Sequence, residues 1–453
     1  MSKKDNLISA FTPPPNGWVR ARKDGKVYAE KFYGDFRTLE RYQEYKDCGF
    51  DEIMFAGETK YMGEEFETSD LKKMLDLSLA CDLKATVFDG RILNLTVQAQ
   101  RSIIGELFDT EEELDAYLKE CVKDYSKHPA FYGVVIIDEP FIERAPVIHQ
   151  IAKAMKRVLP TAFVHTCFNP LSCVEGGPMQ EVVLGKDGDG YEAYGYYIDQ
   201  MSVPELGYWG YDDYPFKYWE GAPIVPKYIT TQQFVAKRCK KNNLPFHMTL
   251  QSYANDVVDR KGNPRMLDKD DLYWLANLAL GFGAKKFYYY TYWRFTTRGA
   301  LERPDIAIMD DDGSKILYDE VQSTNELIRR TFPFISEYTY EGSQLFAAPN
   351  GNPSTQGLES EDLGVFAECN SEAPILLNKL SDGKNNIYMV FNVRAPWEKE
   401  LNRVQLIFKK LKRKVKVLVD GRIVDVDILP SDGNKLSFAL SPGEAVWFLD
   451  LDE

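Results

Sequence analysis

The sequence has few of the residues that usually hold metal ions. It contains four histidines, at positions 128, 149, 165 and 247, and no two of them have the HxH or HxxxH spacing of a metal site. The seven cysteines are scattered through the 453 residues without paired metal-ligand spacing. We therefore expect no metal ion and no other cofactor, and we expect free thiols in a reducing cytoplasm.

Long apolar runs and positive charge are also scarce. No stretch approaches the roughly 18 apolar residues of a membrane span, and residues 1–7 contain no apolar signal-peptide segment. The chain has 55 Lys and Arg against 69 Asp and Glu, so its formal net charge is −14. Proteins that bind nucleic acids or anionic membranes usually present a basic surface. The sequence therefore predicts neither nucleic acid nor membrane as a partner, and it does not indicate an oligomeric state.

The most informative stretch is residues 131–140, Phe-Tyr-Gly-Val-Val-Ile-Ile-Asp-Glu-Pro. A continuous apolar run rich in β-branched residues is typical of a strand buried on both faces, as in a parallel sheet. Asp138 and Glu139 follow at its carboxyl-terminal end, and Pro140 turns the chain out of the sheet. In a (β/α)8 barrel this end of each strand carries the chemistry. The alternative is that the two acids only end a strand and cap the next helix.

Seven further strand-and-helix units surround this one in the sequence. Predicted strands cover residues 7–11, 52–56, 84–88, 131–140, 162–167, 206–211, 246–250 and 286–292. Predicted helices cover residues 36–48, 69–81, 110–126, 145–159, 191–201, 230–241, 269–282 and 316–331. Alternating strands and helices indicate a parallel sheet. Eight such units predict an α/β fold, a (β/α)8 TIM barrel over residues 1–335.

The pattern changes after residue 333. Short segments that alternate apolar and polar residues begin near positions 364, 386, 404, 415, 436 and 445, and Asp-Gly or Pro-Gly turns separate several of them. Such alternation is typical of antiparallel strands with one buried face. We therefore predict a smaller all-β sandwich domain over residues 340–453.

The predicted strand ends bring acids, amides and aromatic rings to one face of the barrel. Four acids are candidate catalytic residues, and eight further residues are candidates for binding the substrate. The catalytic set is Asp138, Glu139, Asp212 and Asp213, and the binding set is Glu58, Asp89, Asn169, Tyr214, Gln251, Tyr253, Trp293 and Arg294. Hydrolysis of a glycosidic bond requires one carboxylic acid that protonates the leaving oxygen and a second carboxylate. Neighbouring carboxylates raise one another's pKa and so help to keep the acid protonated.

Two aromatic residues of this set are candidates for stacking against the apolar face of a sugar. Tyr214 and Trp293 both follow strand ends, and each offers a flat apolar ring with a polar tip. The alternative for Trp293 is a core residue beneath the end of the barrel.

Residues 137–140, 211–216 and 290–293 resemble the clan of (β/α)8 glycoside hydrolases that contains cellulases and β-galactosidases. The closing β-domain, with Leu-Ser-Pro-Gly-Glu-Ala at 440–445, is similar as well. The resemblance covers the layout of both domains and does not identify a family. It implies a carbohydrate substrate and places the general acid at Glu139. Asp138 stands where this clan usually has an asparagine that contacts the sugar 2-hydroxyl.

The resemblance fails at the nucleophile, a glutamate after strand seven, where this chain has Gln251. Three possibilities stay open. Asp212 or Asp213 acts as the base of an inverting reaction, although side chains alternate along a strand and the sequence does not settle which of the two faces inward. Asp138 and Glu139 act as the pair of a substrate-assisted N-acetylhexosaminidase. The barrel binds carbohydrate without cleaving it.

Overall fold

The computed structural model describes residues 8–55, 60–173, 175, 179–217, 225–254, 257–258, 261, 263–301, 306–346, 353–429, 431 and 433–451. Its first eleven strands are β1 (Ile8–Phe11), β2 (Trp18–Lys23), β3 (Lys26–Phe32), β4 (Glu52–Phe55), β5 (Lys84–Phe88), β6 (Phe131–Asp138), β7 (Phe163–Cys167), β8 (Trp209–Asp212), β9 (Phe246–Gln251), β10 (Ala284–Tyr290) and β11 (Thr297–Arg298). Its α-helices are α1 (Leu39–Asp47), α2 (Asp70–Ala80), α3 (Gly90–Gln98), α4 (Glu111–Val122), α5 (Ala145–Val158), α6 (Gln180–Leu184), α7 (Gly190–Met201), α8 (Tyr228–Lys241), α9 (Lys269–Gly281) and α10 (Tyr318–Ile335).

Eight parallel strands form the predicted barrel. Their order around the sheet is β7-β6-β5-β4-β1-β10-β9-β8. The ring closes between β7 and β8 through one bridge from Phe168 to Tyr211, in which the Phe168 amide donates to the Gly210 carbonyl at 3.0 Å. The (β/α)8 fold is therefore confirmed, and each of the eight predicted strand segments overlaps a barrel strand.

Local elements differ from the prediction at several places. The hairpin of β2 and β3, together with β11, forms a separate small sheet that the sequence pattern did not indicate. Helix α3 follows β5 after a single residue, because the Asp89 side chain accepts from the Arg91 amide and caps the helix. Strand β8 begins at Trp209 instead of 206, since residues 204–206 form a turn.

Side chains fill the interior of the barrel. Phe11, Met54, Phe88, Val135 and Tyr288 pack into one apolar cluster inside the ring. Deeper in the barrel, the Lys286 ammonium and a Glu52 carboxylate oxygen form an ion pair of 2.6 Å that is almost fully buried. The barrel is therefore a packed core, and open space for a ligand is left only at its ends.

Nine antiparallel strands follow the barrel. They are β12 (Thr339–Phe346), β13 (Phe366–Ser371), β14 (Ile375–Ser381), β15 (Asn386–Asn392), β16 (Asn402–Phe408), β17 (Lys414–Val419), β18 (Arg422–Asp427), β19 (Lys435–Leu440) and β20 (Ala445–Leu449). A six-stranded sheet of order β12-β14-β15-β20-β17-β18 faces a three-stranded sheet of order β13-β16-β19 across a shared apolar cluster. The predicted β-sandwich is confirmed, although β12, β14 and β18 were missed. The boundaries of the two domains, at 335 and 340, stay a prediction.

The outer face of the six-stranded sheet packs on helix α9 of the barrel. The Trp274 and Phe391 rings lie 6.1 Å apart, and the Asn378 side-chain amide donates to the Gly281 carbonyl at 3.1 Å. The sheet is thus buried on both faces, which makes the sandwich part of the same packed body as the barrel.

Within the residues that the structure describes, no helix combines the length and the apolar composition needed to cross a bilayer.

Candidate active site

Asp138 and Glu139 lie together at the mouth, by which we mean the end of the barrel where the eight strands finish. Asp138 is the last residue of β6, and both side chains are accessible to solvent. Burial by the surrounding protein and the charge of Glu139 raise the pKa of Asp138 to about 7, although the nearby Lys60 ammonium opposes the rise. A carboxyl group that is solvent-accessible yet strongly desolvated lies in a recess of the surface. The mouth therefore holds a carboxyl group that is still partly protonated at neutral pH.

Asp212 is the third acid of this group. It ends β8, and the Cys167 thiol donates to its Oδ1 at 3.6 Å. Burial raises the pKa of Asp212 well above its usual range, and the charges of Glu139 and Asp138 raise it further. Since like charges act at short range in such a recess, these three carboxyl groups form one electrostatic cluster, which we call the acid cluster.

Asp213 has different surroundings. The Ser172 hydroxyl donates to its Oδ1 at 2.6 Å, and burial raises the pKa of Asp213 to about 6. Its charge in turn raises the pKa of Tyr211, whose ring stacks on Phe246 in the core between the strands and the helices. Side-chain alternation therefore sends Asp212 toward the mouth and Asp213 toward the helices. The sequence left open which of the two acids faces inward, and this geometry favours Asp212 over Asp213 as the neighbour of Glu139.

Three tyrosines stand next to the acid cluster. Tyr290 stacks on Tyr214 with ring centroids 5.4 Å apart and contacts Tyr253 edge-on at 5.6 Å. The Tyr214 hydroxyl hydrogen-bonds Asp212. Burial raises the pKa of Tyr290, and the charges of Asp138 and Asp212 raise it further. All three rings are partly exposed. Tyr290 was not among the predicted site residues, although its place at the end of the last barrel strand was visible in the sequence.

A cleft of about 420 Å³ adjoins the acid cluster on the side of helix α3. Glu139 and Lys60 line it, together with apolar side chains from α3 and from residues 137–141. Lys60 is a further site residue that the sequence pattern did not reveal, because it follows β4 without any motif.

Asn169 holds the backbone next to the acid cluster. Its side-chain amide and the Tyr197 hydroxyl both donate to the Pro140 carbonyl, at 2.9 Å and 2.6 Å. Asn169 is nearly buried and was predicted to bind substrate. The geometry instead gives it a positioning role, since it holds the residue that directly follows Glu139.

Asp89 does not reach a substrate. Its carboxylate is fully buried, where it pairs with the Arg91 guanidinium at 2.7 Å and accepts from the Tyr125 hydroxyl at 3.0 Å. The structure therefore corrects its predicted role: Asp89 caps α3 and fixes Arg91.

The side chain of Gln251 is also hydrogen-bonded to neighbouring residues. Its Oε1 accepts from the Phe216 amide at 2.9 Å, and its Nε2 donates to the carbonyls of Phe216 and Tyr253 at 3.0 Å and 3.1 Å. These bonds use both amide hydrogens of the buried side chain. Gln251 therefore shapes the loops beside the mouth, and its predicted contact with substrate is corrected.

Trp293 and Arg294 lie beneath the surface. Trp293 is 0% exposed, and its ring lies 4.7 Å from that of Phe36, so it offers no face to a sugar. Arg294 is ion-paired with Asp310 at 2.9 Å and Asp311 at 3.6 Å. The structure therefore favours the core alternative for Trp293 and corrects both predicted binding roles.

One predicted binding residue, Glu58, lies outside the described residues. In the part of the chain that the structure describes, no three His, Cys, Asp or Glu side chains are arranged to hold a metal ion.

A larger cavity of about 800 Å³ lies at the opposite end of the barrel, against the sandwich. Its charged residues are held by neighbours: Arg329 pairs with Asp51 at 2.6 Å, and the Lys285 ammonium donates to the Ile335 carbonyl at 3.5 Å. That end of a (β/α)8 barrel usually serves stability rather than catalysis. The mouth is therefore the better candidate despite its smaller volume.

No protein-family model matches the chain, and no curated protein matches it. Solved structures of glycoside hydrolases are similar to it in fold. A protein from Bacteroides thetaiotaomicron VPI-5482 assigned as an α-L-fucosidase is 13% identical, with a TM-score of 0.46 over 71% of this chain and 95% of that one.

Two others are more distant. A GH30 endoxylanase from Clostridium papyrosolvens C71 is 10% identical, with a TM-score of 0.41 over 98% of this chain and 96% of that one. A GH2 β-galacturonidase from Eisenbergiella tayi is 10% identical, with a TM-score of 0.42 over 71% and 51%. These likenesses concern the fold alone, and they identify neither a family nor a substrate.

Proposed function

We propose that this protein is a glycoside hydrolase that cleaves the glycosidic bond of a small glycoside or oligosaccharide. The observation that carries the proposal is the acid cluster of Asp138, Glu139 and Asp212 at the carboxyl-terminal end of the barrel strands. Glycosidic bonds are hydrolysed by paired carboxyl groups, one protonated and one ionised. Burial and the charge of Glu139 raise the pKa values of Asp138 and Asp212, so the cluster holds protonated and ionised carboxyl groups together.

In this proposal Glu139 is the general acid. Mutual repulsion opposes three simultaneous negative charges, so the cluster keeps at least one proton near neutral pH, in line with the pKa of about 7 for Asp138. Glu139 is solvent-accessible and lines the adjoining cleft, whereas Asp212 is buried. Glu139 is therefore the member best placed to deliver the proton to a leaving oxygen.

Asp212 is the proposed second carboxyl group. It belongs to a strand on the far side of β7 from Glu139, and the two charges act on each other. Asp212 either assists the attacking water or faces the anomeric carbon. Carboxyl groups about 6.5–9.5 Å apart leave room for that water and give inversion, whereas about 5–5.5 Å gives retention.

The three tyrosines supply the proposed sugar platform. Tyr214, Tyr253 and Tyr290 present partly exposed rings beside the acid cluster. Aromatic rings with a polar tip suit a sugar, because its C–H face is apolar while its hydroxyl groups need hydrogen bonds.

A second mechanism is supported by Asp138. This residue is exposed directly beside Glu139, as the substrate-assisted N-acetylhexosaminidase mechanism requires of the carboxylate that steers a 2-acetamido group. In that mechanism Asp138 orients the amide, Glu139 again protonates the leaving group, and Asp212 has no direct role.

A panel of 4-nitrophenyl glycosides, in both anomers and with and without a 2-acetamido group, tests the proposal. We expect turnover of at least one glycone, and NMR of the first-formed anomer identifies inversion or retention. Turnover restricted to 2-acetamido glycosides would favour the substrate-assisted mechanism. Carbohydrate binding by calorimetry without turnover of any glycoside would instead establish a non-catalytic carbohydrate-binding barrel.

The cytoplasmic location stays a prediction from the sequence.

A further inference from the structure

The cleft beside Glu139 has an unusual lining for a carbohydrate site. Helix α3 contributes Leu93 and Val97, and the segment after β6 contributes Pro140 and Phe141. Val97 is 74% exposed and Phe141 37% exposed, so large apolar surfaces face the solvent next to a carboxylate. The volume of about 420 Å³ falls within the range of small-molecule sites.

The two cations of the cleft interact with neighbouring groups. Arg144 donates to the carbonyls of Thr96 and Ala99, at 3.2 Å and 2.5 Å, and pairs with Glu143 at 3.3 Å. The Lys60 charge acts on Asp138, where it partly offsets the rise in pKa that burial and Glu139 cause. These cations therefore serve the loop and the acid cluster, which leaves the apolar surface as the feature that a ligand would contact.

Glu139 separates this cleft from the mouth. On one side its charge acts on Asp138 and Asp212 beside the tyrosines, and on the other side it lines the cleft. A general acid stands at the glycosidic oxygen, between the sugar that is attacked and the group that leaves. A sugar over the mouth would therefore extend its leaving group into the cleft.

We propose that the cleft lined by Leu93, Val97, Ile137, Pro140 and Phe141 binds the leaving group of the substrate, and that this group is an apolar alkyl or aryl aglycone. The proposal rests on the proposed function and names its substrate class. An apolar aglycone removes the exposed Val97 and Phe141 surfaces from water, which a hydroxyl-rich second sugar would do less favourably.

A chain-length series tests the proposal. The probes are the ethyl, butyl and hexyl glycosides of the glycone that the 4-nitrophenyl panel selects, because simple primary alcohols differ little as leaving groups. We expect kcat/KM to rise from ethyl to hexyl by up to about fourfold for each methylene that is buried. The disaccharide of the same glycone should be cleaved more slowly than the hexyl glycoside.

Two variants of the cleft and one control variant show whether the chain-length effect arises in the cleft. In Val97→Ser the hexyl-to-ethyl ratio of kcat/KM should fall at least threefold, and Phe141→Ala should act in the same direction. Val419→Ser, an identical substitution at an exposed residue of the sandwich, should leave the ratio unchanged. A flat chain-length series in the wild type, or an unchanged ratio in Val97→Ser, would overturn the proposal.

The failure of this proposal differs from the failure of the proposed function. A flat series with turnover that depends on Glu139 overturns the apolar aglycone and keeps the hydrolase. If no glycoside is cleaved, the proposed hydrolase function is wrong. Binding of the hexyl thioglycoside then tests the apolar site in the cleft independently of turnover. Binding weakened in Val97→Ser but not in Val419→Ser would support an apolar site, and no binding would end the proposal.

Discussion

The backbone amide of Glu139 donates a hydrogen bond of 2.8 Å to the carbonyl oxygen of Cys167. This bond lies one residue beyond the end of β6, and Glu139 adopts a left-handed backbone with φ of +43°. Consecutive side chains of a regular strand point to opposite faces. The departure from strand geometry at Glu139 lets its carboxyl group join that of Asp138 at the mouth, where both charges act on Asp212.

Replacing Glu139 by glutamine should abolish most activity without unfolding the protein. The variant keeps the volume and much of the hydrogen bonding but loses the transferable proton, so kcat on an alkyl glycoside should fall roughly 10²–10⁴-fold. Glu368→Gln, the same substitution at an exposed residue of the sandwich, is the control and should stay near wild type. Wild-type kcat in Glu139→Gln on this poor leaving group would refute the assignment.

Asp212 and Asp213 should respond differently to the same substitution. Asp212→Asn removes a member of the acid cluster, and we expect kcat to fall at least 10²-fold. Asp213→Asn keeps a group that can accept from the Ser172 hydroxyl, so its kcat should change less than threefold. Steady-state kinetics of the two variants decide the matter, and a larger loss in Asp213→Asn would contradict the inward placement of Asp212.

Asp138 should make stability depend on pH. Its pKa is raised to about 7, so the folded protein holds this proton more tightly than the unfolded chain does. The stabilisation is fully present below the unfolded pKa, near pH 4, and is lost as the pH rises through about 7. Asp138→Asn removes this loss, so the free energy of unfolding of the variant, relative to wild type, should increase from pH 4.5 to pH 7.5.

Urea denaturation at four pH values measures this trend. Asp382→Asn is the control, because hydrogen bonds from the Asn385 and Lys384 amides lower the pKa of Asp382, so its contribution to stability changes only below about pH 4 and should be flat from pH 4.5 to pH 7.5. No pH trend in Asp138→Asn relative to wild type would show that Asp138 titrates normally.

Tyr197 should act on catalysis through Pro140. Tyr197→Phe removes one of two donors to the Pro140 carbonyl, which should cost about 1 kcal/mol of stability. The loosened segment should lower kcat roughly tenfold with little change in KM, because positioning of the acid matters more in the transition state. Tyr191→Phe, on the same helix but bonded to Thr231, is the control. Equal effects in the two variants would argue for a purely structural role.

Substitutions of Trp293 and Tyr290 should have different effects, the first on stability and the second on substrate binding. Trp293→Ala empties a fully buried site and should destabilise the protein by about 3–5 kcal/mol. Tyr290→Ala removes a partly exposed ring, and we expect a several-fold rise in KM with a smaller change in stability. Thermal unfolding and KM of both variants are the measurements. A higher KM without lost stability in Trp293→Ala would restore the sequence-based role of that residue.

The amino-acid sequence by itself determined the architecture and the place of the acids. Apolar runs of strand length, alternating with amphipathic helices, were enough to predict the eight barrel units, because burial on both faces of a parallel strand leaves a direct mark on composition. The acid pair was visible for the same reason, since two charges that end an apolar run must lie where the strand leaves the core. The alternating strands after residue 339 showed the sandwich equally well.

Only the tertiary structure decided which side chains meet at the mouth. A strand buried on both faces carries no polar alternation, so its sequence could not tell whether Asp212 or Asp213 faces inward. Other strand-end side chains bind residues that are distant in sequence. Asp89 is hydrogen-bonded to Tyr125, Gln251 is hydrogen-bonded to Phe216, and Arg294 is ion-paired with Asp310. Such pairings depend on how loops pack over the barrel, and no short-range pattern encodes that packing.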